Sequence, residues 1–155
     1  RSLAERLSVQ ADRVVVEAYE GLELKPGTVC IAPGDYHIEI NTHGVTKTIT
    51  LNQGPQENSC RPAVDVMFRS AAKGYGASTL AAVLTGMGYD GLRGCQLIKE
   101  VGGQILVQDK NTSVVWGMPG CVAEAGLANE VLALNEIAPR INERVMSLEI
   151  KKRAS

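Results

Sequence analysis

Asp90 and the glycines around it carry the chemistry of this chain. Gly86-Met87-Gly88-Tyr89-Asp90-Gly91 has the spacing G-x-G-x-x-G, which between a strand and a helix lets backbone N–H groups cradle a pyrophosphate. The same loop sets Asp90 where the apolar run Leu80–Thr85 ends. Ligands and catalytic groups of open α/β sheets gather at the carboxyl ends of strands. Three roles are open to this carboxylate. It can stand in a phosphate loop, cap the helix that follows, or orient the histidine of a Ser-His-Asp triad.

The phosphate reading has a second support, because Asp109 ends the next strand 18 residues after Gly91, where a ribose-binding acid would stand. Charge argues against it. Asp90 would occupy the mouth of the helix on which a pyrophosphate must rest, a repulsion on the order of 1 kcal/mol or more. Tyr89 also crowds the turn.

The triad reading needs a serine and a histidine from neighbouring strand ends. Gly76-Ala77-Ser78-Thr79 resembles a nucleophile loop, but Ser78 precedes the strand that Asp90 follows. A strand of this length, at about 3.3 Å per residue, separates them by roughly 20 Å, against triad contacts of about 3 Å. His37 follows the turn Pro33-Gly34-Asp35 and could approach a site rim, and His43 sits at a hairpin tip. Both read as structural or solvated. Ser113 lacks a glycine elbow and reads as a cap.

The elements that must position these residues follow from periodicity and punctuation. Residues 2–8 read as the last turns of a helix, so the chain is expected to start within an element. Strands are predicted at 14–18 and 28–32, with turns at Lys25-Pro26-Gly27 and Pro33-Gly34-Asp35. Residues 36–40 and 46–51 alternate with a period of two around Thr42-His43-Gly44, predicting an exposed hairpin. Val64, Met67, Phe68 and Ala71 predict a helix over 63–73. Then βαβ order sets in: strand 80–85, helix 91–101, strand 104–108, helix 119–125, strand 130–134 and helix 135–149. Pro119 suits a first helical turn, and the tail 151–155 is expected to be solvated. This order predicts an α/β fold, a doubly wound, mostly parallel sheet. The 28–51 region is expected to add antiparallel strands to that sheet or its edge.

Composition limits the partners. A chain of 155 residues suggests a single domain, 1–155. With 16 basic and 17 acidic residues, no basic excess attracts nucleic acid or an anionic membrane. One Trp, one Phe and four Tyr are too few for base-stacking platforms. Cys30, Cys60, Cys95 and Cys121 form no C-x-x-C pair and lie away from both histidines, which argues against zinc. They read as buried, reduced thiols of a cytoplasmic protein. No signal peptide or long apolar run points to membrane insertion. No cofactor or metal is expected.

Several segments together resemble the catalytic domain of the chemotaxis protein-glutamate methylesterases. They are Ile31-Ala32-Pro33-Gly34-Asp35-Tyr36-His37, Arg61-Pro62-Ala63-Val64-Asp65-Val66-Met67-Phe68 and Leu84-Thr85-Gly86-Met87-Gly88-Tyr89-Asp90-Gly91. Gly102-Gly103 with Val107-Gln108-Asp109, and Val114-Val115-Trp116-Gly117-Met118-Pro119, complete the match to about residue 145. The resemblance implies a Rossmann-like α/β domain that holds no nucleotide. It implies a hydrolase acting on glutamyl methyl esters of methyl-accepting chemotaxis receptors, and on receptor glutamines by deamidation. Asp90 would be the triad acid. Gly86, Met87 and Gly88 would line the substrate and oxyanion region, with Met87 beside the reacting carbonyl.

The family's nucleophile lies in a G-A-S-T-G-G loop and its base in a Q-H-M-P segment, and neither is found in this sequence. Both belong upstream of Ser2-Leu3-Ala4-Glu5-Arg6-Leu7, as does the receiver domain usual in the family. The chain is therefore expected to be the carboxyl-terminal part of a longer enzyme and inactive alone. A dinucleotide-binding module and a non-catalytic interaction domain are the alternatives.

Overall fold

Two short apolar runs form the centre of the molecule. In the computed structural model, which describes residues 3–11 and 13–154, β5 (Leu80–Val83) and β6 (Gln104–Gln108) pair in parallel with Ala81 opposite Ile105 and Val83 opposite Val107. β7 (Glu130–Leu132) pairs in parallel on the other side of β6, giving the order β5-β6-β7. Ile105, Leu106 and Val107 are all fully buried, as a strand covered on both faces of a parallel sheet requires. The core joins Val83, Ile105 and Val107 to Phe68, Cys95, Ile98 and Val122.

The helices arise where the apolar period predicts them. α2 (Val64–Tyr75) precedes β5, α3 (Leu92–Glu100) joins β5 to β6, and α4 (Met118–Glu124) joins β6 to β7. α5 (Leu134–Ala154) follows β7 and continues through Pro139. α3, α4 and α5 all pack against β6. Pro119 stands in the first turn of α4, where its missing N–H leaves no bond unmade. α1 spans Leu3–Ala11. Ser2 of the expected helix 2–8 and Ser155 of the expected tail lie outside the described residues; Lys151, Arg153 and Ala154 of that tail are exposed, as expected, and helical, because α5 continues through them.

The α/β class, the parallel sheet and the antiparallel hairpin hold, but the hairpin's placement does not. β1 (Val15–Glu17) and β2 (Val29–Ile31) form a separate parallel pair, and β3 (His37–His43) with β4 (Thr46–Asn52) forms a separate antiparallel one. The reason lies at the outer edge of β4. Ile49 donates to the Leu22 carbonyl and accepts from Gly21, and Leu24 donates to Lys47. That edge is filled by residues 21–24 and has no ladder left for the central sheet. One face of the hairpin buries Ile38 and Ile49 with Ala18 in a second core, and β3 lies against α2.

α2 and α3 approach closely. A Cβ at Gly94 would stand 2.4 Å from Phe68 Cβ, so only glycine fits there. This contact brings the amino-terminal ends of the two helices together.

Candidate active site

Gln108 organises the carboxyl end of the sheet. The side chain is fully buried, so each of its polar atoms must find a partner. Its Oε1 accepts from the Thr85 N–H at 2.8 Å and its Nε2 donates to the Thr112 carbonyl at 2.8 Å. The Trp116 Nε1–H bonds its backbone carbonyl at 3.0 Å. These contacts tie the loop after β5 to the loop after β6. Gly86 continues the pairing: its N–H donates to Val115, and its carbonyl accepts from Gly117 and Met118. A Cβ at Gly117 would meet the Gly86 oxygen at 2.8 Å and the Gly88 nitrogen at 2.9 Å. The glycine loop is thus packed backbone to backbone on residues 115–118. Its outer side presents Met87, 85% exposed, with Leu84 and Tyr89 also exposed.

Asp90 turns inward from this loop and is 6% exposed. Its Oδ2 accepts from the Val64 N–H at 2.7 Å, and its Oδ1 accepts from the Asp65 N–H at 3.0 Å and from Asn58 Nδ2 at 2.9 Å. The carboxylate therefore caps α2. The sequence reading placed it at the mouth of α3, the helix it precedes. The cause is local: Ala63, at the N-cap of α2, offers no side-chain cap, and two orphan N–H groups with the positive end of a helix dipole draw the nearest carboxylate.

α3 is capped in return from α2. Asp65, 1% exposed, accepts from the Gly94 N–H at 2.7 Å. Asn58 Nδ2 donates to the other Asp65 oxygen at 2.8 Å. Two buried carboxylates thus each hold the other's helix, and one amide bridges them. The sequence showed Asp65 and Gln108 only as members of longer motifs and gave no sign of Asn58. The signal for Asp65 was present, since an acid in a first helical turn suits the dipole.

This arrangement leaves no bed for a pyrophosphate. A carboxylate lies within hydrogen-bonding reach of the α3 amino terminus, and Gly86 is paired on both its polar groups. Asp109, the expected ribose acid, accepts from the Thr112 N–H at 2.9 Å and the Thr112 hydroxyl at 2.6 Å, closing its own turn.

The other candidates separate as follows. His37 is 2% exposed and does not reach a rim. Its Nδ1 accepts from the Ala63 N–H at 3.2 Å and its Nε2 donates to the Pro55 carbonyl at 2.9 Å, so both ring nitrogens serve the fold. His43 is exposed in the last position of β3. Ser113 donates to the Asp109 carbonyl at 2.6 Å. Ser78 closes a single 3-10 turn, Gly76–Ser78, immediately before β5, at the end of the sheet opposite Asp90.

The loop between β4 and α2 is fastened by arginines. Arg61 bonds the Asp35 carboxylate and the carbonyls of Gln53 and Gly54, and its hydrogen bond holds the Asp35 carboxyl below the usual range. Arg69 pairs with Glu57 and lowers that carboxyl likewise. Burial raises the Cys95 thiol to about 12, leaving it inert as a nucleophile. Cys60 is exposed, contrary to the expectation of buried thiols, because it sits in the polar turn before Arg61.

Comparison with known proteins gives one consistent answer. The model of the CheB methylesterase family matches residues 1–141. A protein-glutamate methylesterase/protein-glutamine glutaminase of Nocardioides sp. is 57% identical over 145 residues, covering 94% of this chain and 40% of the relative. Its counterpart in Trichodesmium erythraeum is 55% identical, covering 92% of this chain and 41% of the relative. The chain thus spans about two-fifths of the length of these relatives. The crystal structure of the Thermotoga maritima CheB methylesterase catalytic domain superposes with a TM-score of 0.88 at 41% identity, over 91% of this chain and 75% of that one.

Proposed function

The chain belongs to the CheB methylesterase family, and on that premise we propose that it supplies the acid of a protein-glutamate methylesterase. The observation that carries this reading is Asp90: a buried carboxylate at a strand's carboxyl end, fixed through both oxygens. Its place is right for a group that must hold an imidazole without itself moving. In the proposed reaction a serine oxygen adds to the ester carbonyl, and histidine takes the serine proton. The tetrahedral intermediate expels methoxide, which leaves as methanol with that proton. Water then hydrolyses the acyl-enzyme to carboxylate. Asp90 holds the histidine tautomer and stabilises the imidazolium between the proton transfers. The Gly86-Met87-Gly88 loop borders the site, with the exposed Met87 side chain toward the substrate. Glutamine deamidation follows the same path with ammonia as leaving group.

The serine and histidine come, in this reading, from the part of the relatives' length that this chain does not span. Residues 1–155 then form the carboxyl-terminal part of one catalytic domain. A receiver domain fits in the same further length. The substrate is a methylated chemotaxis receptor, and the location is cytoplasmic. Among the described residues no helix is long and apolar enough to cross a membrane.

The test is methanol release from methylated receptor by the full-length natural protein. Asp90→Asn lowers kcat by about 10⁴-fold, while the protein stays folded. Wild-type turnover in that variant would refute the assignment.

A further inference from the structure

Oδ1 and Oδ2 of Asp90 are not equivalent. A carboxylate oxygen offers two lone pairs. Oδ1 takes two donors, the Asp65 N–H at 3.0 Å and Asn58 Nδ2 at 2.9 Å. Oδ2 takes one among the described residues, the Val64 N–H at 2.7 Å. Only Oδ2 keeps an acceptor position for a further donor.

Asn58 is built for the bridging task. Its amide has two N–H donors, and Nδ2 is shared between Asp65 at 2.8 Å and Asp90 at 2.9 Å. Its backbone is left-handed, at φ 53°, a region that asparagine enters more readily than most residues. Asp65 is fixed in turn by the Gly94 N–H at 2.7 Å. Asn58 therefore hangs from one immobile carboxylate and holds the other.

We propose that Asn58 is a positioning residue of the esterase site, which by saturating Oδ1 of Asp90 reserves Oδ2 for the histidine N–H. This inference rests on Asp90 being the triad acid. Without the amide, Val64 and Asp65 still hold the carboxyl group, but Oδ1 regains an acceptor position, and the histidine N–H, offered two oxygens, loses its single fixed acceptor. Misplacement of a reacting group by about 1 Å can cost on the order of 10²-fold in rate. The effect reaches substrate only through Asp90 and histidine, so it falls on kcat and leaves KM in place.

The experiment is a double-mutant cycle on the full-length protein, reading methanol release from methylated receptor. Asn58→Gly keeps the left-handed backbone and removes only the amide. It is expected to lower kcat about 10- to 100-fold, with KM within about twofold and the cooperative thermal transition retained. In an Asp90→Asn background the same change is expected to alter kcat by less than about twofold, because residues acting as a unit are not additive. If glycine at this position prevents folding, Asn58→Ser, which cannot donate to both carboxylates, carries the same expectation. Wild-type kcat in a folded Asn58 variant, beside a collapsed Asp90→Asn, overturns the positioning role alone. An equal loss in both backgrounds also overturns it, because Asn58 would then act elsewhere. Full activity in Asp90→Asn overturns the triad assignment and this inference with it.

Discussion

Arg61 ties the turn at Asp35 to the loop after β4 by reaching three acceptors: the Asp35 carboxylate and the carbonyls of Gln53 and Gly54. Its guanidinium depresses the Asp35 carboxyl, and Arg69 depresses that of Glu57. A carboxyl whose value is lower folded than unfolded stabilises the fold above its unfolded value, and that contribution disappears as pH falls through the folded value. Thermal stability should therefore decline as pH drops below about 4. Arg61→Gln removes the cause of the Asp35 depression, so its melting temperature should fall less steeply between about pH 5 and pH 3 than the wild type's. Equal slopes in parallel melts would show that the Asp35 pair is not what the acid limb reports. At this scale the sequence disclosed Asp90, because a strand, a glycine loop and an acid are contiguous. It did not disclose Asn58, whose two carboxylate partners lie 7 and 32 residues away and leave no local pattern. His37 misled for the converse reason: a turn beside a histidine says nothing of the Ala63 and Pro55 groups that enclose it.

α2 and α3 were both legible from apolar spacing, and their bounds differ from expectation only at the ends. Their closeness was not legible, since it depends on Gly94 meeting Phe68 rather than on any period. Two effects oppose each other in Gly94→Ala. Alanine gains up to about 1 kcal/mol in helix propensity. Its Cβ would stand 2.4 Å from Phe68 Cβ, an atom anchored to its own backbone, and overpacking of this kind costs about 1–3 kcal/mol. The steric term wins. Gly94→Ala should lower the urea midpoint, by about 1 kcal/mol net, without changing the m-value. An unchanged or higher midpoint would mean the helices can slide apart at no cost. The hairpin teaches the same lesson at element scale. Its two strands announced themselves by alternation, but the segment 21–24 that fills the outer edge of β4 has no alternation to announce it.

In the whole molecule, a three-stranded parallel sheet and a separate hairpin have their own cores, those around Ile105 and around Ile38. α2 joins them, because it packs on β3 and on α3. The fold class was open to sequence reasoning because βαβ order is a statement about succession, which a sequence records directly. The distribution of strands among sheets is a statement about edges, which it records only through pairing partners. Asp90 and Asp65 sit where these two halves meet.

Reciprocal capping has a consequence for how the molecule opens. Asp65 stands in the first turn of α2 and serves α3, while Asp90 directly precedes the α3 N-cap Gly91 and serves α2, so opening either helix end disturbs the carboxylate that caps the other and the two amino termini should open in a single event. Deuterium should then enter the Val64, Asp65 and Gly94 amides with one shared free energy of opening, as members of one cooperative unit. Native-state exchange followed residue by residue would show it, and separate values for Val64 and Gly94 would mean that the helices breathe independently.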